Sequence, residues 1–498
     1  MWWVLVLNPQ RLLLMMSKKS LFFLFLNGSI LFGLLFLANK NMRVNTKELN
    51  KDSLESIYLA YFLATDGFHS MDGESPSYFR EPVISAINAI NILRLRPESN
   101  NIKPLDLVQD PALILEMTKL NLLYLFVIYV LIFGLARKLG ISRILATCAS
   151  IVPTTFFAIF TSYITSVNSE LPSAIFLLIL SIFLLVFLEN RKKRFLIYAG
   201  ITLGLLALTK AVFLYVFIVF IPILILYEYF ISKNQHFLDF RLITLFVLAF
   251  SIPVASWMTR NYFQASSFSI TERGGEVLLI RAVKNQMNPE EFWGGFYAYA
   301  PEALQKSYFE KFLGYEEKDL LYGGRLQRLN RGHIEDSLAI AEGRSEDIIS
   351  YLRIAQFKFR NDSEIVVAGE ASQDRDKSSK GVAFQMIINH PIDHFKTSFL
   401  FGWRGIWFYR GRQALPVLLT FSLYASLAFL FVLSIIKRND SLFIITIVPV
   451  LYFLFHAFLT HFIPRYSGPL VPILSILLFW IVNLLFNQLK ERFRLNHK

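Results

Sequence analysis

The chain has 498 residues, 54% of them hydrophobic, with 50 Lys and Arg against 37 Asp and Glu, a formal charge of +13. A mean hydropathy of +0.47 excludes an ordinary soluble domain, because the bilayer must then solvate most of the fold. One cysteine, Cys148, excludes disulfides within the chain, and its place in an apolar run argues against a thiolate nucleophile.

About ten apolar runs are predicted to span. They fall at residues 21–38, 120–135, 144–160, 171–188, 195–208, 211–231, 242–257, 417–436, 442–459 and 470–486. The first has positive flanks like a signal peptide but lacks a small-residue cleavage site before Asn39, so it reads as a retained anchor. With the N-terminus inside, Arg11, Lys18, Lys19, Arg137, Lys138, Arg143 and residues 191–194 face the cytoplasm. Lys233, Arg241, Lys437, Arg438, Lys490, Arg492 and Arg494 follow them, whereas the short outer loops keep only Lys210 and Arg465. The positive-inside rule therefore predicts an even number of spans with both termini cytoplasmic; a cell inner (plasma) membrane is the expected location, with an endoplasmic reticulum as the alternative. The positive charge is accounted for by topology, and no basic–aromatic stripe points to nucleic acid.

The run at 195–208 is short, roughly 21 Å as a helix. It carries Gly200 and Gly204 at a spacing that lets helices approach closely. Lys210, just after it, is expected either in the protein interior or snorkelling to the interface.

Two long polar segments fall on the outer side. In the first, 39–119, the helical spacing of Leu54, Ile57, Tyr58, Tyr61 and Phe62, and of Val83, Ile87 and Ile90 after Pro82, predicts two amphipathic helices. They are expected to lie along the membrane surface with carboxylates toward water. A turn-rich stretch at 65–73 separates them. The second segment, 258–416, shows helical patterning at Leu304, Tyr308 and Phe312 and at Ile348, Tyr351, Leu352, Ala355 and Phe359, and is expected to form a small helical subdomain. Residues 360–380 read as a charged, flexible loop holding the sequon Asn361-Asp362-Ser363. The predicted fold is thus all-α and integral to the membrane, divided at 1–257, 258–416 and 417–498. No internal repeat, phosphate loop or zinc-spaced cluster is present; His390 and His394 are separated by Pro391 and lack an acidic partner of the HExxH type.

Several strings occur in a fixed order along the chain. The stretch at 58–68 (YLAYFLATDGF) is followed by Asp72-Gly73 and Arg80-Glu81-Pro82; then come Asn168-Ser169-Glu170-Leu171, the stretch 199–210 (AGITLGLLALTK), Ser256-Trp257 with Arg260-Asn261-Tyr262, and Pro464-Arg465-Tyr466. Together they resemble the outer loops and span ends of polyprenyl-phosphate-sugar glycosyltransferases of the GT-C fold, the relatives of protein O-mannosyltransferases and lipid A aminoarabinose transferases.

The resemblance implies a lipid-phosphate sugar donor and a lipid, glycan or protein acceptor outside the cytoplasm. An acidic residue of the first outer loop would act as base, inverting the sugar, while basic residues stabilise the leaving phosphate. The family's base is an aspartate paired with a glutamate shortly before a tyrosine. Here Tyr58 and Glu55 match, but Leu54 stands at the aspartate position. The candidate bases are therefore Asp52 and Glu55, with Asp66 third. Lys210, Arg260 and Arg465 are expected around the donor phosphate, with Tyr58, Arg80, Glu170 and Tyr466 as further substrate contacts. Each has a structural alternative: a helix-terminal carboxylate for Glu170, an interface anchor for Arg260 and Arg465, a turn former for Asp66. Clustered carboxylates could hold a magnesium or manganese ion, but no spacing demands one, and no metal ligands are assigned. The rival readings are a lipid-linked glycan transporter and a non-catalytic polyprenyl-lipid-binding relative.

Overall fold

The computed structural model describes residues 18–45, 49–95, 108–232, 239–358 and 370–496. Arg11, Lys233 and the sequon at 361–363 lie outside them. The protein is an all-α membrane protein. Among the described residues, eight helices are long and apolar enough to cross a membrane, and the only β pairing is an isolated bridge between Ser70 and Pro76.

In chain order the first elements are α1 (Lys18–Asn45), α2 (Lys51–Thr65), α3 (Pro82–Leu95), α4 (Pro111–Thr118), α5 (Leu120–Lys138) and α6 (Arg143–Ile159). They are followed by α7 (Glu170–Asn190), α8 (Lys193–Thr209), α9 (Val212–Phe230) and α10 (Phe240–Ala265). The second polar segment forms α11 (Gly274–Ala282), α12 (Pro289–Tyr299), α13 (Ile334–Ala341), α14 (Glu370–Asn389) and α15 (Pro391–Ile406). The chain closes with α16 (Ala414–Ile436), α17 (Asp440–Leu459) and α18 (Val471–Asn496). All ten predicted runs are helices. Two of them, α6 and α8, have 17 residues each, about 25 Å of helix, and fall short of the other eight.

The glycines of α8 do what their spacing predicts. A Cβ on Gly200 would lie 2.7 Å from the Phe246 carbonyl oxygen, and one on Gly204 would lie 2.5 Å from Pro253 Cγ and 2.7 Å from the Phe250 carbonyl oxygen. Only a hydrogen at these two positions lets α8 rest directly on the α10 backbone. Buried hydroxyls in the bundle bond back to their own helix, as Ser150, Ser181 and Thr446 do to the carbonyls four residues earlier, at 2.7–3.0 Å.

Four expectations are corrected. Helices α1 and α10 run on to Asn45 and Ala265, because residues 39–45 and 258–265 continue the helix beyond the apolar core, so the expected division at 257/258 falls inside α10. The expected apolar face of α3 is split: Ile90 is 69% exposed and Val83 packs against the bundle core, while Ser85, Asn88 and Asn91 are buried with Ile84 and Ile92. The carboxylates of α2 do not simply face water, for Glu55 is 6% exposed and the Asp52 side chain about a quarter. Instead α2 and α3 pack on each other through Ile57, Ala60, Tyr61, Ala89 and Ile92, with Leu113 and Met117 of α4 and Val167 closing the cluster. Finally, 370–380 is the first half of α14, since Val382, Ala383, Met386 and Ile387 anchor that helix on Leu279, Ile280 and Tyr351.

Candidate functional site

The N-terminus of α2 is fixed from two directions. The Asn50 side chain caps it by accepting from the Ser53 amide at 2.9 Å and donates to Ser166 Oγ at 2.9 Å. Ser53 Oγ in turn accepts from the Val167 amide at 2.9 Å. These contacts hold the first turn, with Asp52 and Glu55 on one face, against the loop leading to Glu170.

Arg80 reaches this face from the loop before α3. Its Nη2 bonds both Asp52 and Glu55, and its Nε donates to Glu55 Oε2 at 2.7 Å. Arg273, just before α11, places Nη1 3.4 Å from Glu55 Oε2 and 3.7 Å from Asp52 Oδ1. Arg465 bonds Asp52 Oδ2 through Nη2, and its Nε lies 3.1 Å from Glu170 Oε1. Lys210 comes within 3.5 Å of the same Glu170 oxygen and sits over the Tyr466 ring, 5.0 Å from its centroid. Lys210 is therefore in the protein interior, as the short α8 allows. Glu81 shapes its surroundings by accepting from the Ala211 amide at 2.7 Å, where the chain turns from α8 into α9.

Within ion-pair distance four cations thus face three carboxylates, Asp52, Glu55 and Glu170, while Glu81 and Glu272 also line the cavity. Burial works against ionisation of Asp52, but Arg80, Arg465 and Arg273 outweigh it and hold the carboxyl well below its usual range. Arg273 Nε and Glu170 Oε2 are buried without hydrogen-bond partners among the described residues.

The cluster forms one end of a cavity of about 810 Å³. Asp52, Arg80, Glu170, Lys210, Arg465 and Tyr466 line it, joined by Arg273, Asp376, Lys377 and Lys380. Leu214, Tyr215, Phe384, Phe455 and Leu459 give it an apolar side, and Ser56, Asn168, Ser267 and Glu272 are among its further polar lining. Tyr215 stacks on Phe455 at 5.3 Å between ring centroids and is 43% exposed, and Phe384 is 60% exposed. The cavity therefore has a charged floor and an apolar side between α9, α14 and α17.

Four predicted site residues stand outside this wall. Glu55 lies behind it, on Arg80 and Arg273. Tyr58 is half-buried on α2, and Asp66 is exposed at the C-terminal cap of that helix. Arg260 donates to the backbone carbonyls of Ser77 at 3.0 Å and His69 at 3.3 Å and stacks over Trp257 at 4.8 Å. It positions the loop that delivers Arg80. His69 locks the same loop, with Nδ1 2.8 Å from the Ser77 carbonyl and Nε2 3.1 Å from Ser85 Oγ. Burial pushes its pKa down to about 4, against the Ser77 hydrogen bond that favours the cation and with Arg260 adding to the depression.

Sequence reasoning missed Arg273, Glu81, Lys377 and Lys380. The pair Gly274-Gly275 after Arg273 was the available signal. A Cβ on Gly275 would collide with the Asp376 backbone, so α11 and α14 meet there at glycine distance. The Gly275 amide also donates to Asp376 Oδ1 at 2.7 Å.

No family model and no curated protein matches this chain. Among solved structures it is similar to the archaeal oligosaccharyltransferase AglB from Archaeoglobus fulgidus, in complex with an inhibitory peptide and a dolichol-phosphate, at a TM-score of 0.47 and 13% sequence identity. The similarity covers 95% of this chain and 51% of that one, so this chain spans about half the length of that protein.

Proposed function

We propose that the protein is a membrane glycosyltransferase that takes a sugar from a polyprenyl-phosphate carrier and passes it to a lipid, glycan or protein acceptor on the non-cytoplasmic side. The observation that carries this reading is the cavity itself: Arg80, Arg273, Arg465 and Lys210 converge at one end of a chamber large enough for a sugar phosphate, with apolar side chains on another side. The donor phosphate would sit against Arg465, Arg273 and Lys210, with the prenyl tail leaving past Tyr215 and Phe455.

In the reaction, an acceptor oxygen or nitrogen attacks the anomeric carbon from the face opposite the phosphate. The bond from the anomeric carbon to the phosphate oxygen breaks, inverting the sugar. The electron pair leaves on the polyprenyl phosphate, where guanidinium groups stabilise the developing charge. The acceptor proton passes to Asp52 or Glu55. Three arginines make Asp52 a weak base in the ligand-free cluster. A phosphate drawing Arg465 and Arg273 toward itself would raise its basicity at the moment of use. The oxygens of Asp52 and Glu55 already face guanidinium groups, and among the described residues no set of three or more His, Cys, Asp or Glu side chains is placed to hold a metal. This donor set does not fit magnesium or manganese, and the arginines take that electrostatic role.

Separate Asp52→Asn and Glu55→Gln variants, assayed for transfer from a labelled polyprenyl-phosphate sugar, test the assignment. The variant lacking the base should lose about 10²–10⁴-fold in turnover. Full activity in both single variants and in the double variant would remove these carboxylates from the chemistry. The saturation of both carboxylates by arginine also suits a binder of polyprenyl lipid without catalysis; wild-type protein that retains the labelled donor and never turns it over would establish that reading instead.

A further inference from the structure

We infer that the outer segment holds a second anion site, built by Lys284, Arg281 and Arg404 for a phosphoryl group. It lies beside Tyr466 but outside the cavity wall, and it stands independently of the proposed transfer reaction.

Lys284 follows α11 on the 3-10 turn Val283–Gln286 and is 5% exposed. Its ammonium meets no carboxylate among the described residues and lies 5.1 Å from the centre of the Phe401 ring. Arg281, fully buried, sits on the same ring at 4.6 Å. Its partners are all neutral: the His394 carbonyl at 2.8 Å, Thr397 at 2.9 Å, Ser398 at 3.0 Å and Asn285 at 2.9 Å. Arg404 lies over Tyr299 at 4.5 Å and donates to the His461 carbonyl at 3.1 Å, while its Nε and His461 Nδ1 are buried without partners. The His461 ring is 5.8 Å from that of Tyr466.

The contrast with the cavity floor is one of charge balance. There, every cation touches a carboxylate; here none does among the described residues. Glu291 is nearby, but it is committed to Tyr351 at 2.7 Å, to Arg328 at 3.6 Å and to the cap of α12. Gathering unpaired cations around two buried rings is repulsive and costly to desolvate unless an anion joins them. Burial, and then Arg404, Arg281 and Arg331, all press the Lys284 ammonium toward its neutral form. A single carboxylate would satisfy one guanidinium, whereas a phosphoryl group carries enough charge and acceptor oxygens to engage several donors together.

The test uses the full chain in detergent, with radiolabelled inorganic phosphate in equilibrium dialysis. Wild type should bind at least one phosphate per chain that does not depend on Arg465. Lys284→Met should lose it, with affinity there falling about tenfold or more, Lys284→Arg should keep it, and Arg465→Gln should leave it in place. Without phosphate, Lys284→Met should melt above wild type, since it removes an unpaired buried charge; should that variant not fold, Arg404→Gln must show the same loss of one phosphate. Unchanged stoichiometry and affinity in the folded variants would overturn the site. So would a wild type whose single bound phosphate is removed by Arg465→Gln. A short-chain prenyl phosphate that displaces the label from the Lys284 site supports a lipid source for the ligand; displacement by inorganic phosphate alone supports a water-soluble one.

Discussion

Replacing Arg465 by glutamine removes the one side chain that joins Asp52 to Glu170. The two carboxylates lose it unequally. Asp52 is about a quarter exposed and keeps Arg80 and Arg273, so water and two guanidinium groups cover the loss. Glu170 is 3% exposed and keeps only Lys210, at 3.5 Å. Breaking a buried pair by removing one partner costs about 3–5 kcal/mol. With Lys210 retained, the expected cost is about 2–3 kcal/mol, nearly all of it at Glu170. The assay is thermal melting of the detergent-solubilised chain for wild type, Arg465→Gln, Glu170→Gln and the double variant. Arg465→Gln should lower Tm, and the double variant should recover much of the loss because the stranded carboxylate is gone. The coupling between the two positions should exceed about 1 kcal/mol. Equal melting of Arg465→Gln and wild type, or a double variant no better than Arg465→Gln, would refute the idea that Glu170 depends on Arg465.

Two further outcomes are expected. Gly204→Ala puts a methyl 2.5 Å from Pro253 Cγ and 2.7 Å from a backbone oxygen, so α8 and α10 must part, at about 1–3 kcal/mol; Gly134→Ala, with no atom within 4 Å of the new Cβ, is the control in the same melting experiment. His69 is held neutral with a pKa of about 4 in the fold but titrates near 6.5 when unfolded, so the unfolded chain binds the extra proton as pH falls between these values. Stability on its account is complete above about pH 6.5 and falls by roughly 2–4 kcal/mol on reaching pH 4. His69→Gln should flatten that slope, and an unchanged slope in the pH series of melting temperatures would show that His69 does not drive it.

The sequence by itself determined the helices. Each apolar run folds on its own hydrogen bonds in lipid, so its existence depends on local composition, and all ten runs form. The closeness of α8 to α10 was also legible, because Gly200 and Gly204 advertise a face without side chains. Five of the expected site residues with Tyr466 reach one cavity wall, and Glu55 stands behind it on Arg80 and Arg273. Tertiary structure alone decided the rest. Whether Asp52 and Glu55 face water or arginine depends on Arg273 and Arg465, which lie more than two hundred and four hundred residues away in the chain. Arg260 and Arg465 look alike as arginines at span ends, yet backbone carbonyls take one and carboxylates the other. Periodicity found an apolar stripe on α3 but not which of its residues are covered, since the buried face mixes Ile84, Ala89 and Ile92 with Ser85, Asn88 and Asn91 and leaves Ile90 outside. Charge pairing at this site is a property of neighbours in space, because the partners of Asp52, Glu55 and Glu170 come from distant stretches of the chain.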